Sequence, residues 1–172
     1  MNLYSGVGST FRDYWRLYGG FKALISSPYL HFSVLCSLLL WPLWLEKSAL
    51  LYDLILAIVP SVLGFSLGGY AILLAFGDRE FIQRLSGPDA DGKPSPMMVV
   101  NAAFIHFIVV AVLSLFLGII GAAWNFSGCY ALVTCFVSLY SIACALASAF
   151  AIFRVADWHD IYAGNNKPGS DN

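Results

Sequence analysis

The chain has 172 residues, of which 59% are hydrophobic and only 11% are charged, and its net charge is −1. Soluble domains carry roughly 25% charged residues, so most of this surface cannot face water. The near-zero charge gives no basis for nucleic-acid binding, and the long apolar stretches leave too little chain for a separate globular domain. The composition therefore predicts an all-α membrane protein whose helices cross the bilayer.

Residues 1–28 are predicted to form a cytoplasmic interfacial segment. Within it, 10–25 has the pattern of an amphipathic helix that begins at a capping pair, Thr10 and Asp13. One side is aromatic and apolar (Phe11, Tyr14, Trp15, Tyr18, Phe21 and Ile25), and the basic residues lie elsewhere (Arg12, Arg16 and Lys22). This combination suits the headgroups of an anionic leaflet, so membrane lipids are a predicted partner. The alternative is a disordered N-terminus with a single helical turn.

Four apolar stretches predict a transmembrane four-helix bundle over 29–153. The spans lie at about 29–45, 50–77, 97–123 and 129–153, with a cytoplasmic loop at 78–96 and a cytoplasmic tail at 154–172. Pro42 is expected to end or kink the first span, and Pro60 to kink the second. No signal peptide is visible, so the first span should act as its own insertion signal.

The basic residues predict the orientation of this bundle. Eight of the nine Lys and Arg residues lie on one side of the predicted spans, and only Lys47 lies on the other. By the positive-inside rule, both termini are then cytoplasmic. We expect the protein in the inner membrane of a bacterium.

Small residues follow one side of the second span at alternating spacings of four and three: Ala57, Ser61, Gly64, Gly68, Ala71 and Ala75. Such a stripe lets another helix approach closely, which predicts a helix-packing face and a homo-oligomer. The fourth span carries small polar residues (Thr134, Ser138, Ser141 and Ser148). These can be buried between helices or can line a water-filled pore, and the pattern leaves both interpretations open.

The second span is predicted to continue into the cytoplasm as an amphipathic helix. Glu80 and Arg84 are four residues apart and suitably ordered for a helical ion pair. This helix is the predicted docking site for a cytoplasmic protein partner.

Ser66 and His106 raise the question of catalysis. Intramembrane serine proteases of the rhomboid type use a G-x-S motif on one span and a histidine on another, and Gly64, Ser66 and His106 resemble that arrangement. At 1.5 Å per residue, Ser66 and His106 both lie roughly 14–15 Å from the cytoplasmic ends of their spans. However, Leu67 stands where rhomboids have Gly, and four spans are fewer than that fold has. Ser66 also lies about 200° around the helix from the small residues, a position that can face lipid. We therefore predict that the protein is not an enzyme.

His106 is also a candidate polar site in its own right, because it is the deepest ionisable residue of the predicted spans. It could act as a proton relay, a pH sensor or a pore constriction, or it could be a neutral histidine bonded to a serine or a carbonyl on a neighbouring helix. Asp53, near the outer end of its span, is either an ion site or a solvated carboxylate at a helix start. The four cysteines have the pattern of packing residues, so neither a metal nor a cofactor is predicted.

These features together predict an oligomeric membrane subunit or sensor of a larger complex. In layout, though not by any motif, the chain is similar to the four-span membrane subunits of some phage-defence systems and to colicin-immunity proteins. That similarity implies a role in defence against phage or toxins. A homo-oligomeric ion channel or pore is the alternative, ahead of a transporter or an intramembrane serine hydrolase.

Overall fold

A computed structural model describes residues 3–76 and 95–165 of the chain. These residues form seven helices and no strand: α1 (Leu3–Tyr18), α2 (Gly20–Ile25), α3 (Pro28–Leu39), α4 (Trp41–Leu45), α5 (Ser48–Phe76), α6 (Pro96–Trp124) and α7 (Cys129–Asn165). The all-α prediction is confirmed for this part of the chain. Most of the predicted 78–96 loop and the end of the tail, 166–172, lie outside the described residues.

Three of the described helices are long and apolar enough to cross a membrane, over Ser48–Ile72, Met97–Trp124 and Cys129–Arg154. They correspond to the second, third and fourth predicted spans. α5 remains helical through Pro60. α7 continues beyond the predicted end of the last span, so the first part of the predicted tail, as far as Asn165, is also helical.

The first predicted span, 29–45, is broken into two helices. α3 has 12 residues, and α4 begins at Trp41 with Pro42 in its first turn. Proline has no backbone N–H and its ring clashes with the preceding turn, so a helix cannot run undisturbed through Pro42. The predicted end or kink of the helix near Pro42 is confirmed, as a break between α3 and α4. α3 alone is only about 18 Å long, against a hydrocarbon core of roughly 30 Å, so it does not make a continuous fourth span.

The N-terminal helix begins at Leu3, seven residues before the predicted start. The predicted capping pair is therefore wrong: the Thr10 hydroxyl lies inside the helix and donates to the Gly6 carbonyl at 3.0 Å. Asp13 instead accepts a hydrogen bond from Arg16. The helix packs against α6, where Tyr14 and Tyr18 of its second half contact His106.

α5, α6 and α7 pack side by side as an antiparallel bundle, with α3 along α7. At one end of the α5–α6 pair, Tyr52 is fully buried against Gly121 and donates to the Phe126 carbonyl at 2.7 Å. At the other end, the Tyr70 hydroxyl donates to the Asn101 side-chain oxygen. This hydrogen bond joins α5 and α6 across their interface.

Candidate functional site

His106 lies where α1, α6 and α7 meet, and its side chain is only 4% exposed. The Tyr14 hydroxyl on α1 lies 2.5 Å from its Nδ1, and the Tyr140 hydroxyl on α7 lies 2.9 Å from its Nε2. Tyr18 stacks on the imidazole with ring centroids 3.9 Å apart, and its hydroxyl lies 3.3 Å from that of Tyr140. We call Tyr14, Tyr18, His106 and Tyr140 the His106 cluster.

The positions of the hydrogen atoms in the His106 cluster can be inferred from which groups donate and which accept. A neutral imidazole has one N–H and one acceptor nitrogen, and each tyrosine hydroxyl has one hydrogen. If Nδ1 accepts from Tyr14, then Nε2–H donates to Tyr140, whose hydroxyl hydrogen can point to Tyr18. In the other tautomer the hydrogen left without an acceptor among the described residues is that of the buried Tyr14, whereas in this one it is that of the half-buried Tyr18. Because an unmade buried hydrogen bond is costly, we assign the Nε2–H tautomer.

Tyr14 and Tyr18, the two α1 residues of the His106 cluster, remain protonated in this site. Burial away from water raises the pKa of the Tyr14 hydroxyl, and the neighbouring Tyr18 adds to the effect. Burial also raises the pKa of Tyr18, although its hydrogen bond with Tyr140 offsets part of that rise. Both hydroxyls therefore remain protonated at physiological pH, so that Tyr14 can donate to His106 and Tyr18 can accept from Tyr140.

Local sequence explains how α1 presents Tyr14 and Tyr18 to His106. Tyr14 and Tyr18 are four residues apart and so share one face of the helix. The helix ends directly afterwards at Gly19, whose φ of 98° is a conformation that favours glycine. The aromatic side predicted to face lipid headgroups is thus divided: Tyr14 is only 5% exposed, whereas Phe11 and Phe21 are 55% and 70% exposed.

Ser66 and His106 lie at similar heights but do not form the serine–histidine pair that the rhomboid resemblance implies. The Tyr52–Gly121 and Tyr70–Asn101 contacts fix the antiparallel register of α5 and α6, and this register places Ser66 near the level of His106. Ser66 is half-buried. Both ring nitrogens of His106 are nevertheless engaged by tyrosines, which leaves neither free to accept a proton from the serine.

The other predicted polar residues are separate from the His106 cluster. Asp53 is exposed in the second turn of α5, at the end of the helix far from His106. Glu80 and Arg84, the predicted docking pair, lie outside the described residues. Within residues 3–76 and 95–165, no group of three or more His, Cys, Asp or Glu side chains could hold a metal ion.

The small residues of α5 are exposed rather than buried within the chain. All six are exposed, and we call them the α5 stripe: Ala57, Ser61, Gly64, Gly68, Ala71 and Ala75. A Cβ added at Gly64 or Gly68 would have no described atom within 4 Å. α5 contacts the bundle through its opposite side, where Tyr52, Ile55 and Val59 are buried.

The hydroxyl groups of α7 are buried and hydrogen-bonded inside the bundle. Thr134, Ser138, Ser141 and Ser148 each donate to a backbone carbonyl one turn earlier in α7. Ser138 also lies 2.7 Å from the Ser114 hydroxyl of α6. Of the two interpretations that the sequence leaves open, burial between helices is the one seen in this chain.

The fold and these sites define an all-helical membrane protein with three helices long and apolar enough to span a bilayer. No family model matches the chain, and no curated protein or solved structure shows significant similarity to it.

Sequence reasoning found His106 but missed its three tyrosine partners. Tyr140 is eleven residues into α7, and a tyrosine hydroxyl at that depth needs a hydrogen-bond partner. Because His106 and Tyr140 both lie deep in adjacent predicted spans, a hydrogen bond between them could have been predicted from the sequence. The contact of α1 with His106 could not be predicted in this way, because an aromatic helix face suits a bilayer interface as well as a protein surface.

Proposed function

We propose that the protein is the membrane-embedded subunit of a larger assembly, and that its copies associate in the bilayer through α5. The observation that carries this proposal is the exposure of the whole α5 stripe, from Ala57 to Ala75, along a helix whose opposite side packs inside the chain at Tyr52, Ile55 and Val59. The stripe is about 27 Å long at 1.5 Å per residue, which is close to the thickness of the hydrocarbon core.

Helices in a bilayer associate mainly through close packing of their surfaces. Acyl chains are as apolar as leucine, so helices gain little from the hydrophobic effect and associate through close packing. The chain uses small residues for close packing internally, since Gly118 and Gly121 of α6 admit the side chains of Ile55 and Tyr52. Gly64 and Gly68 offer the same space on the outer side of α5, where a second copy could enter it.

A broken fourth span and cytoplasmic termini are part of this proposal. α3 and α4 together cover 28–45. Laid end to end along one axis, the two helices are about 27 Å long, which approaches the thickness of the hydrocarbon core. The amide N–H of Gly128, before α7, donates to the Trp44 carbonyl at 3.3 Å. The end of α4 therefore lies beside the α6–α7 turn, as it would if α3 and α4 crossed the membrane alongside α7.

The setting of the assembly is a further element of the proposal. The layout similarity to four-span phage-defence subunits and to colicin-immunity proteins points to a bacterial inner membrane and a defence role. A cytoplasmic partner would contact the side that carries most of the basic residues. A gene for a cytoplasmic nuclease or other effector beside this one would support that setting.

A channel lined by α7 is the weaker candidate. Its small hydroxyl residues would have to leave the carbonyls to which they are bonded and separate from α6 before they could face water. No charged side chain occurs within Cys129–Phe153 to select an ion.

The test compares two glycines that are adjacent in the chain. Gly68 belongs to the stripe, whereas Gly69 points about 100° away, and a Cβ added there would likewise have no described atom within 4 Å. Native mass spectrometry of the full chain in mild detergent should show an oligomer for the wild type and for Gly69→Leu, and mainly monomer for Gly68→Leu. A wild-type monomer at all concentrations, or equal effects of the two variants, would rule out association through the stripe.

A further inference from the structure

We propose that protonation of His106 releases α1 from the bundle, which makes the docking of this helix a pH-controlled switch. The proposal concerns α1 alone and does not depend on association through α5. Its basis is that the contact between α1 and α6 includes a buried hydrogen bond between Tyr14 and Nδ1 of His106, and that Nδ1 is the unprotonated nitrogen in the tautomer assigned above.

Protonation removes the acceptor on which that hydrogen bond depends. An imidazolium donates from both nitrogens and accepts at neither. Nδ1–H would then point at the Tyr14 oxygen, and the Tyr14 hydrogen would lose its only acceptor among the described residues. Nε2–H already donates to Tyr140, so the second nitrogen offers no alternative. A buried donor and a buried charge would both be left uncompensated.

Among the residues that the structure describes, the groups around His106 do not supply a counter-charge. The titratable groups that face it are Tyr14 and Tyr18 from α1 and Tyr140 from α7, with Cys144 one turn further along α7. On α5, the only charged side chain in the described range is Asp53, which lies opposite the far end of α6, about 20 Å along the helix axis. On α6, the described residues include no charged side chain.

The charged residues of the remaining neighbours are also turned away or distant. On α1, Arg12, Asp13 and Arg16 are exposed, and the last two pair with each other at 3.4 Å. On α7, the nearest charged residue after Cys144 is Arg154, about 15 Å further along the axis, and its positive charge would not favour an imidazolium.

One contact acts in the opposite direction. The Tyr18 ring stacked on His106 offers a protonated imidazole a cation–π attraction. It provides no acceptor for the Tyr14 hydrogen, however, and the stacking is itself lost when α1 leaves. Docking is therefore favoured while His106 is neutral and weakens as the pH falls through the titration of the histidine, since the released state binds the proton more readily.

Distance measurements between spin labels test the proposal directly. The full chain, with Cys36 and Cys129 replaced by Ser, carries labels at Ser9→Cys on α1 and Phe116→Cys on α6, both at exposed positions. In nanodiscs, the distance distribution should be narrow at about pH 8 and should move to longer distances by about pH 4, a range that brackets the ordinary titration of histidine near 6.5. A second label pair, Phe116→Cys on α6 and Phe150→Cys on α7, measures the distance between two helices of the bundle. This distance should not change with pH.

Two variants separate a switch from general acid unfolding. His106→Gln cannot titrate and should remove the pH dependence of the α1 distance. Tyr14→Phe removes the donor and should broaden the α1 distribution already at about pH 8. The proposal is overturned by an unchanged wild-type distance, by the same pH response in His106→Gln, by a bundle pair that lengthens together with the α1 pair, or by a Tyr14→Phe protein that is docked as firmly as the wild type.

Discussion

The Tyr14 hydroxyl lies 2.5 Å from Nδ1 of His106, although 92 positions separate the two residues in the chain. This hydrogen bond joins the N-terminal helix to the middle of the bundle. Because Tyr140 engages the other ring nitrogen, one histidine side chain links three helices. The N-terminal segment is thereby part of the packed structure, and its position depends on one imidazole.

Removing the Tyr14 hydroxyl should loosen α1 without unfolding the bundle. In Tyr14→Phe, Nδ1 of His106 is left buried without its donor, so we expect α1 docking to weaken by about 1–3 kcal/mol. Hydrogen exchange of the α1 amides measures this change as faster exchange, while α6 and α7 remain protected. Tyr18→Phe is the control, because its hydroxyl makes only the longer 3.3 Å contact and its ring can still stack. Equal loss of protection in the two variants would contradict the assigned role of Tyr14.

Two glycine substitutions should have opposite effects on the stability of the bundle. A Cβ at Gly121 would overlap the Tyr52 ring, which is fully buried and cannot move aside freely. Gly121→Ala should therefore destabilise the protein by about 1–3 kcal/mol through overpacking. Gly69→Ala meets no described atom within 4 Å and should stabilise α5 by up to about 1 kcal/mol through helix propensity. Thermal unfolding in detergent compares the two, and a neutral Gly121→Ala would show that α5 and α6 do not pack in this register.

The long spans could be predicted from sequence because their signal is local. The second, third and fourth spans are continuous apolar runs, and each forms one long helix in the structure. The break near Pro42 could also be predicted, since proline acts through its own covalent geometry. The length of the first span could not, because the apolar run of 29–45 does not reveal that the helix ends at Leu39.

The His106 cluster was only partly predictable, because it depends on contacts between distant parts of the chain. The depth of His106 followed from counting residues, but its partners depend on helix rotation and on where α1 docks. The α5 stripe shows the same limit. Its spacing predicted a packing face, but only the structure shows that no described residue of the chain occupies it.

Ser66 should not behave as a catalytic nucleophile. A serine nucleophile needs a base that accepts its proton, and both nitrogens of His106 are engaged by tyrosines. We expect no labelling of the chain by a fluorophosphonate probe in native membranes, with a known membrane serine hydrolase as the positive control. Labelling that disappears in Ser66→Ala but persists in Ser61→Ala would establish the hydrolase function that we argue against.

The side of the membrane on which α1 lies should reveal whether α3 and α4 cross the bilayer together. Lys47 in the α4–α5 turn and Ser9 in α1 are both exposed, and they are expected on opposite sides if 28–45 forms a broken span. With Cys36 and Cys129 replaced by Ser, an impermeant maleimide added to intact cells should label Lys47→Cys at once and Ser9→Cys only after permeabilisation. Labelling of both positions in intact cells would leave three spans and an external N-terminus. In that case Arg12, Arg16 and Lys22 would be exceptions to the positive-inside rule. α1 would then have to reach His106 from the external face of the membrane.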